Sequence, residues 1–207
     1  MKPELDSCAW EHLAPYFTQL QATGPDATDA DNTGMSDTPA SKSVLDASTL
    51  HNTLHLKFIQ CNQLLEQHLT HKDQYSFCAR AIIFHTDEYV LKRILANENS
   101  TTKKTLWPLL QKRIFNTSQG GELFYSILTH ILASPDRYSF AVQVFYYCLQ
   151  QGFKGRLWDL ETERDNYIKK CESAIRRSGN QSNLLTANLS DSIARTSSKD
   201  ARYDLFG

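Results

Sequence analysis

Three groups of residues in this 207-residue chain have types and spacings that could do chemistry. His85, Asp87 and Glu88 are close enough in sequence to offer a base and an acid. His51 with His55, and His68 with His71, have the spacing of metal ligands on a helix. Gly120-Gly121 could open a helix N-terminus to a phosphate. None gathers the rest of what its chemistry requires. On a helix only His85 and Glu88 would be neighbours, and Arg80, Lys92 and Arg93 offer the acidic pair ordinary ionic partners. The histidines flank apolar stripes, with no Cys or acid beside them at ligand spacing. No strand precedes the glycine pair and no Lys-Ser/Thr follows it. Without a nucleophile and base, a metal set or a cofactor cradle, the expectation is a protein that is not an enzyme and uses neither cofactor nor metal.

The elements that must hold these residues are helices. Phe140, Ala141, Val144, Tyr147, Cys148 and Gln151 make one stripe at helical spacing. Ser134 and Pro135 suit the N-cap and first position of that helix, and Gly152 suits a left-handed C-cap. Phe153 can fold back on the last turn, and Gly155 permits a second bend before Arg156. The pattern is an aromatic core helix ending in a charged corner.

Other stripes follow the same period. Trp10, Leu13, Phe17 and Leu20 predict a helix over 7–21, kinked or split at Pro15. Leu50, Leu54, Phe58, Cys61 and Leu65 predict one over 50–69. Asp73 can cap a helix over 74–96 that faces the core with Tyr75, Cys78, Ala79, Ile82, Ile83 and Val90. Leu106, Leu109, Leu110, Arg113 and Ile114 suggest a helix with Trp107 and Pro108 near its start. Thr117 or Ser118 can cap another that begins near Gly120 and carries Leu123, Phe124, Ile127, Leu128, Ile131 and Leu132. Asp159 can cap a last helix to Arg177, with Leu160, Tyr167, Ile168, Cys171 and Ile175 on its apolar side.

Residues 22–46 hold five Asp, one Lys and no aromatic residue, and read as a flexible linker. Residues 97–104 read as a polar loop, and 178–207 as a disordered tail in which Ile193, Tyr203, Leu205 and Phe206 form at most a weak docking element. No segment alternates as a half-buried strand does. The reading is all-α, about seven helices, divided as 1–21, 22–46, 47–177 and 178–207.

Composition removes several classes of function. A formal net charge of −1 gives no global field to gather nucleic acid. Five widely spaced cysteines, without a CxxC pair, fit buried free thiols in a reducing compartment. No apolar run follows Met1-Lys2 as in a signal peptide, and none reaches the roughly 18 residues that cross a membrane.

A tyrosine-rich helix followed by Cys148-Leu-Gln-Gln-Gly152-Phe153-Lys-Gly155-Arg156 resembles the signature of the DotU family, called IcmH in type IVB secretion and TssL in type VI secretion. That family usually reads Tyr-x-Cys-Leu-x-Leu-Gly-Phe-x-Gly-Arg-Tyr; here Gln151 and Leu157 depart from it. The run from Tyr75 to Leu91, with its Cys78-Ala79 and Asp87-Glu88, is similar to the family's Asp-Glu helix. Gly120-Gly121-Glu122-Leu-Phe124 is similar to its Gly-Gly-Glu-x-Phe. The resemblance spans roughly residues 50–175.

The resemblance implies a cytoplasmic helical domain of two small bundles packed as a hook, acting as a scaffold beside an IcmF-type subunit at the inner membrane. It implies partner contact at Asp87 and Glu88, and a homodimer as one possible state. Arg156 and Glu122 would be clamps near the corner. The family's membrane anchor follows this domain, so the expectation is that an anchor lies beyond the chain or that the member is atypical. Residues 95–105 lack the Pro-Trp-Gly turn of type VI members, and 114–117 read Ile-Phe-Asn-Thr instead of Phe-His-x-Glu. These departures and Leu157 tilt the assignment toward type IVB, with type VI and a generic helical adaptor as alternatives.

Overall fold

A computed structural model describes residues 3–22, 47–69, 71–96 and 107–178. They form α1 (Pro3–Ala22), α2 (Ala47–His68), α3 (Lys72–Ala96), α4 (Leu110–Phe115), α5 (Gly120–Leu132), α6 (Ser139–Gln150), a 3-10 turn (Gly155–Leu157) and α7 (Glu161–Arg177). There is no strand among the described residues. The fold is all-α, as the sequence predicts. The expected linker, the polar loop and the tail fall outside the described residues, apart from single flanking positions.

Two helices form the centre. Residues 81–87 of α3 and 140–149 of α6 are buried without a break, so each helix is covered on every side. They pack on each other; α7 covers α6, while α4 and α5 cover α3. Most polar groups caught inside have partners, as a dry interior requires, although among the described residues His85 Nδ1 has no hydrogen-bond partner. Thr86 Oγ1 donates to Ile82 O at 2.8 Å and lies 2.9 Å from Tyr16 Oη, and Gln143 Oε1 accepts from Trp10 Nε1 at 3.1 Å.

Those bonds also tie α1 into the body of the protein. Trp10 meets Phe140 edge-on at 5.5 Å, and Phe17 lies 4.5 Å from Tyr147. Ala9, Trp10, Leu13, Tyr16, Phe17 and Leu20 are buried in the same core as α3 and α6. Pro15 does not split the helix. It removes one backbone donor, but the buried residues on both sides of it hold the segment in place.

Several helix ends differ from expectation. Pro135 does not open α6: residues 134–138 form a turn whose Arg137 and Tyr138 N–H groups return to Ser134 O, and the helix starts at Ser139. Asp73 lies inside the first turn of α3 and pairs with Arg137 at 3.4 Å. Neither Asp159 nor Ser118 caps a helix, since α7 and α5 start after Leu160 and Gln119 without a side-chain cap. Leu160, expected on the apolar side of α7, is 53% exposed. Among the described residues no helix is long and apolar enough to cross a membrane.

Candidate functional site

Asp87 and Glu88 sit on the most deeply packed helix, and that position decides what they do. Asp87 is 1% exposed. Its Oδ1 accepts from Trp107 Nε1 at 3.0 Å and from Leu110 N at 2.9 Å, and its Oδ2 accepts from Gln111 N at 2.9 Å. The first N–H groups of α4 have no acceptor in their own helix, and Leu109 at the N-cap supplies none. Asp87 therefore caps α4 from another helix. Burial pushes its carboxyl above the usual range, while the backbone N–H groups of Gln111 and Leu110 and the Trp107 indole pull the other way.

The same device continues into α5. Gln111 Oε1 accepts from Gly120 N, the first residue of α5, at 2.8 Å. A Cβ on Gly120 would come within 2.5 Å of that oxygen and 2.6 Å of Phe84 Cδ1. Only glycine leaves the N–H accessible to its acceptor.

Glu88 holds the other segment. Its Oε1 accepts from Lys154 N and its Oε2 from Gly155 N, each at 2.8 Å. It also pairs with Lys92, whose Nζ donates to Gly152 O at 2.7 Å. The corner after α6 is thus held at a carbonyl and at two N–H groups by one ion pair on α3. Gly152 and Gly155 have φ values of +85° and +52°, the left-handed region where glycine escapes the Cβ penalty.

Gly155 also rests on α5: a Cβ there would be 3.0 Å from Gly121 O, and one on Gly121 would be 3.1 Å from Arg156 N. Tyr125 Oη donates to Lys154 O at 2.9 Å, and Phe153 packs 4.2 Å from Phe124. Arg156 lies 3.9 Å from Glu122 and 3.7 Å from Glu163, over the Tyr125 ring at 5.5 Å. These ions are exposed, so their pairs stabilise little. The three sequence motifs, far apart in the chain, meet at one place.

Asp87 and Glu88, where the resemblance implies partner contact, do not form an exposed acidic patch. Asp87 is buried, the Glu88 side chain is 17% exposed, and both carboxylates are fully engaged by donors of the same chain. An unpaired charge in that setting would carry a heavy desolvation cost, so the helix that encloses them must supply donors. Neither is left available as a general base. His85 is no acid–base partner either. It packs among the rings of Phe17, Tyr89 and Phe153, and burial, then the nearby Lys92, lowers its pKa to about 3.

The remaining candidates divide. His51 is buried against the Trp107 ring, and burial and Arg113 hold the pKa of both His51 and His55 below the ordinary value. His68 Nε2 lies 3.0 Å from His12 Nε2. Among the described residues no group of three or more His, Cys, Asp or Glu is placed to hold a metal ion. Cys61, Cys78, Cys148 and Cys171 are buried. Burial raises the thiol pKa of Cys61 and Cys171 to about 12 and that of Cys148 further, and Cys148 Sγ donates to Ala81 O at 3.8 Å. Sequence reasoning missed Trp107 and Gln111. The signal was available: a carboxylate in an apolar helix needs donors, and a Trp with the start of a helix follows twenty residues on.

Comparison with protein-family models matches residues 35–203 to the family described as "Type VI secretion system protein DotU". Comparison with curated proteins found no match, and comparison with solved structures found none. The matched span includes every residue of the clamp from Asp87 to Arg156, whereas α1 precedes it. A match over most of the chain, holding all three converging motifs, means that this chain belongs to the DotU family of secretion-system proteins.

Proposed function

We propose that the chain is a non-enzymatic scaffold of a bacterial secretion machine that docks an IcmF-type inner-membrane subunit, with this domain on the cytoplasmic side. The observation that carries the reading is a rigid corner bearing exposed apolar side chains. Trp158 and Leu160 are 50% and 53% exposed, next to the segment that Glu88 and Lys92 hold. Lys92 and Lys154 lie 5.1 Å and 5.0 Å from the Trp158 ring. An exposed Trp on a fixed backbone loses little conformational freedom on binding, which is the property of an interface anchor. The engaged carboxylates fit a role in shape rather than turnover.

Asp87 and Glu88 then serve partner contact by holding the corner and α4 in place, not by touching the partner. Type VI is the favoured branch. The matching family is described as a type VI secretion protein, which outweighs the missing Pro-Trp-Gly turn. Type IVB is the second reading, resting on Leu157 and on residues 114–117. The test is co-purification of the full-length protein with an IcmF-type subunit from membranes. Association is expected, and Trp158→Ser with Leu160→Ser should reduce the recovered partner about tenfold or more, as loss of interface anchors does. Absence of association in the unaltered protein would end the proposal.

A further inference from the structure

The near-zero net charge hides an uneven helix. In α7 the acids Glu161, Glu163 and Asp165 occupy the first turns, whereas Lys169, Lys170, Arg176 and Arg177 follow with Glu172 as the sole acid among them. Asn166, Lys169, Lys170, Ser173 and Arg177 recur at three- and four-residue steps, so they form one stripe along the helix. That stripe and Leu132, at the end of α5, line an open groove of about 420 Å³. Glu172 points elsewhere, accepting from Tyr146 Oη at 3.2 Å. Among the described residues Lys169, Lys170 and Arg177 have no ion-pair partner; Lys170 Nζ lies 5.3 Å from the Tyr167 ring, and Arg177 Nε donates to Ser173 O. Three cations, an amide and a hydroxyl therefore line one groove without an anion.

We propose that this groove docks on a membrane surface carrying anionic phosphate headgroups. From Lys169 to Arg177 the stripe rises about 12 Å, too far for its cations to converge on one phosphate but suited to a surface that presents many. The groove is open and its lining side chains, apart from half-buried Leu132, are exposed, which suits a sheet of headgroups better than an enclosed ligand. Leu132 is the apolar residue of the groove's lining. The inference stands on the groove and not on the docking of an IcmF-type subunit, and its test contains no such subunit.

The experiment is co-sedimentation of the purified chain with vesicles of phosphatidylcholine alone and of phosphatidylcholine mixed with phosphatidylglycerol. Binding only to the anionic vesicles is expected. Each cation near such a surface contributes about fivefold to partitioning, so Lys169→Ala, Lys170→Ala and Arg177→Ala together should weaken it about a hundredfold. The control removes three cations elsewhere, Lys57→Ala, Lys112→Ala and Arg137→Ala, and should keep most of the binding. Circular dichroism shows whether each variant is folded. No binding to anionic vesicles overturns the proposal, as does equal loss in the control. So does competition by inorganic phosphate beyond that of chloride at equal ionic strength, which would mean a single-phosphate site. Equal groove-dependent binding to polyglutamate would overturn it in favour of an acidic protein.

Discussion

The carboxylate of Glu88 accepts the N–H of Gly155 at 2.8 Å, joining positions 67 residues apart in the chain. Its neighbour Asp87 takes the opposite direction and holds the start of α4. Two consecutive acids on one buried helix thus fix two separate segments, and the glycines of the other motifs let those segments come close.

Asp87→Asn should destabilise the fold by about 1–3 kcal/mol, because the amide group would face the Gln111 N–H that a carboxylate oxygen now accepts. Asp87→Ala should cost at least as much, leaving three donors unpaired. Denaturant midpoints, with the slope checked for two-state behaviour, measure both. Asp165→Asn, exposed on α7, should stay within about 0.5 kcal/mol of the parent.

The two left-handed glycines should differ. Around Gly152 nothing lies within 4 Å of a new Cβ, so Gly152→Ala should cost only the left-handed penalty of about 1–2 kcal/mol. At Gly155 the same penalty combines with crowding against Phe153 and the Gly121 backbone, so Gly155→Ala should cost more. Thermal melting of the two variants side by side gives the order, and equal losses would show that the corner can move off α5.

Stability should fall in acid, and His85 sets part of the fall. Its pKa drops from an unfolded value near 6.5 to about 3, so between those values the unfolded chain binds the extra proton. The contribution is whole above about pH 6.5 and is lost below it, at up to about 1.4 kcal/mol per pH unit. His85→Leu should flatten this part of the curve in chemical denaturation from pH 7 to 4. An unchanged slope would mean that His85 does not govern it.

Much of the fold was legible because burial obeys the helical period. The stripe of α1 matches the buried residues and that of α2 nearly does. By contrast, α6 is buried on every side with Gln151 of its expected stripe exposed, and α5 buries Tyr125 while Leu123, Ile127 and Leu132 stay half-buried. Gly152 adopts the left-handed conformation that its place after an aromatic helix requires. The caps were less legible. Ser134, Asp159 and Ser118 have the right chemistry, but these helix ends take donors and acceptors from backbone turns or from distant side chains such as Gln111. The site was legible as a set of motifs and not as a geometry. Nothing in the local spacing of Asp87 and Glu88 says that Trp107, Leu110 and Gln111 cover one while Lys154 and Gly155 cover the other. Only the packing of α4 and the corner against α3 reveals that these acids brace the chain from within.

The central claim is that Glu88 is a brace inside the domain and not a contact with a partner. Glu88→Gln, measured in parallel for melting temperature and for co-purification with an IcmF-type subunit, tests it most directly. The amide can accept only one of the two backbone N–H bonds and loses the ion pair with Lys92, so a loss of about 1–3 kcal/mol is expected, with partner recovery falling in step with the folded fraction. An unchanged melting temperature with partner binding abolished would contradict the account and make Glu88 a surface contact.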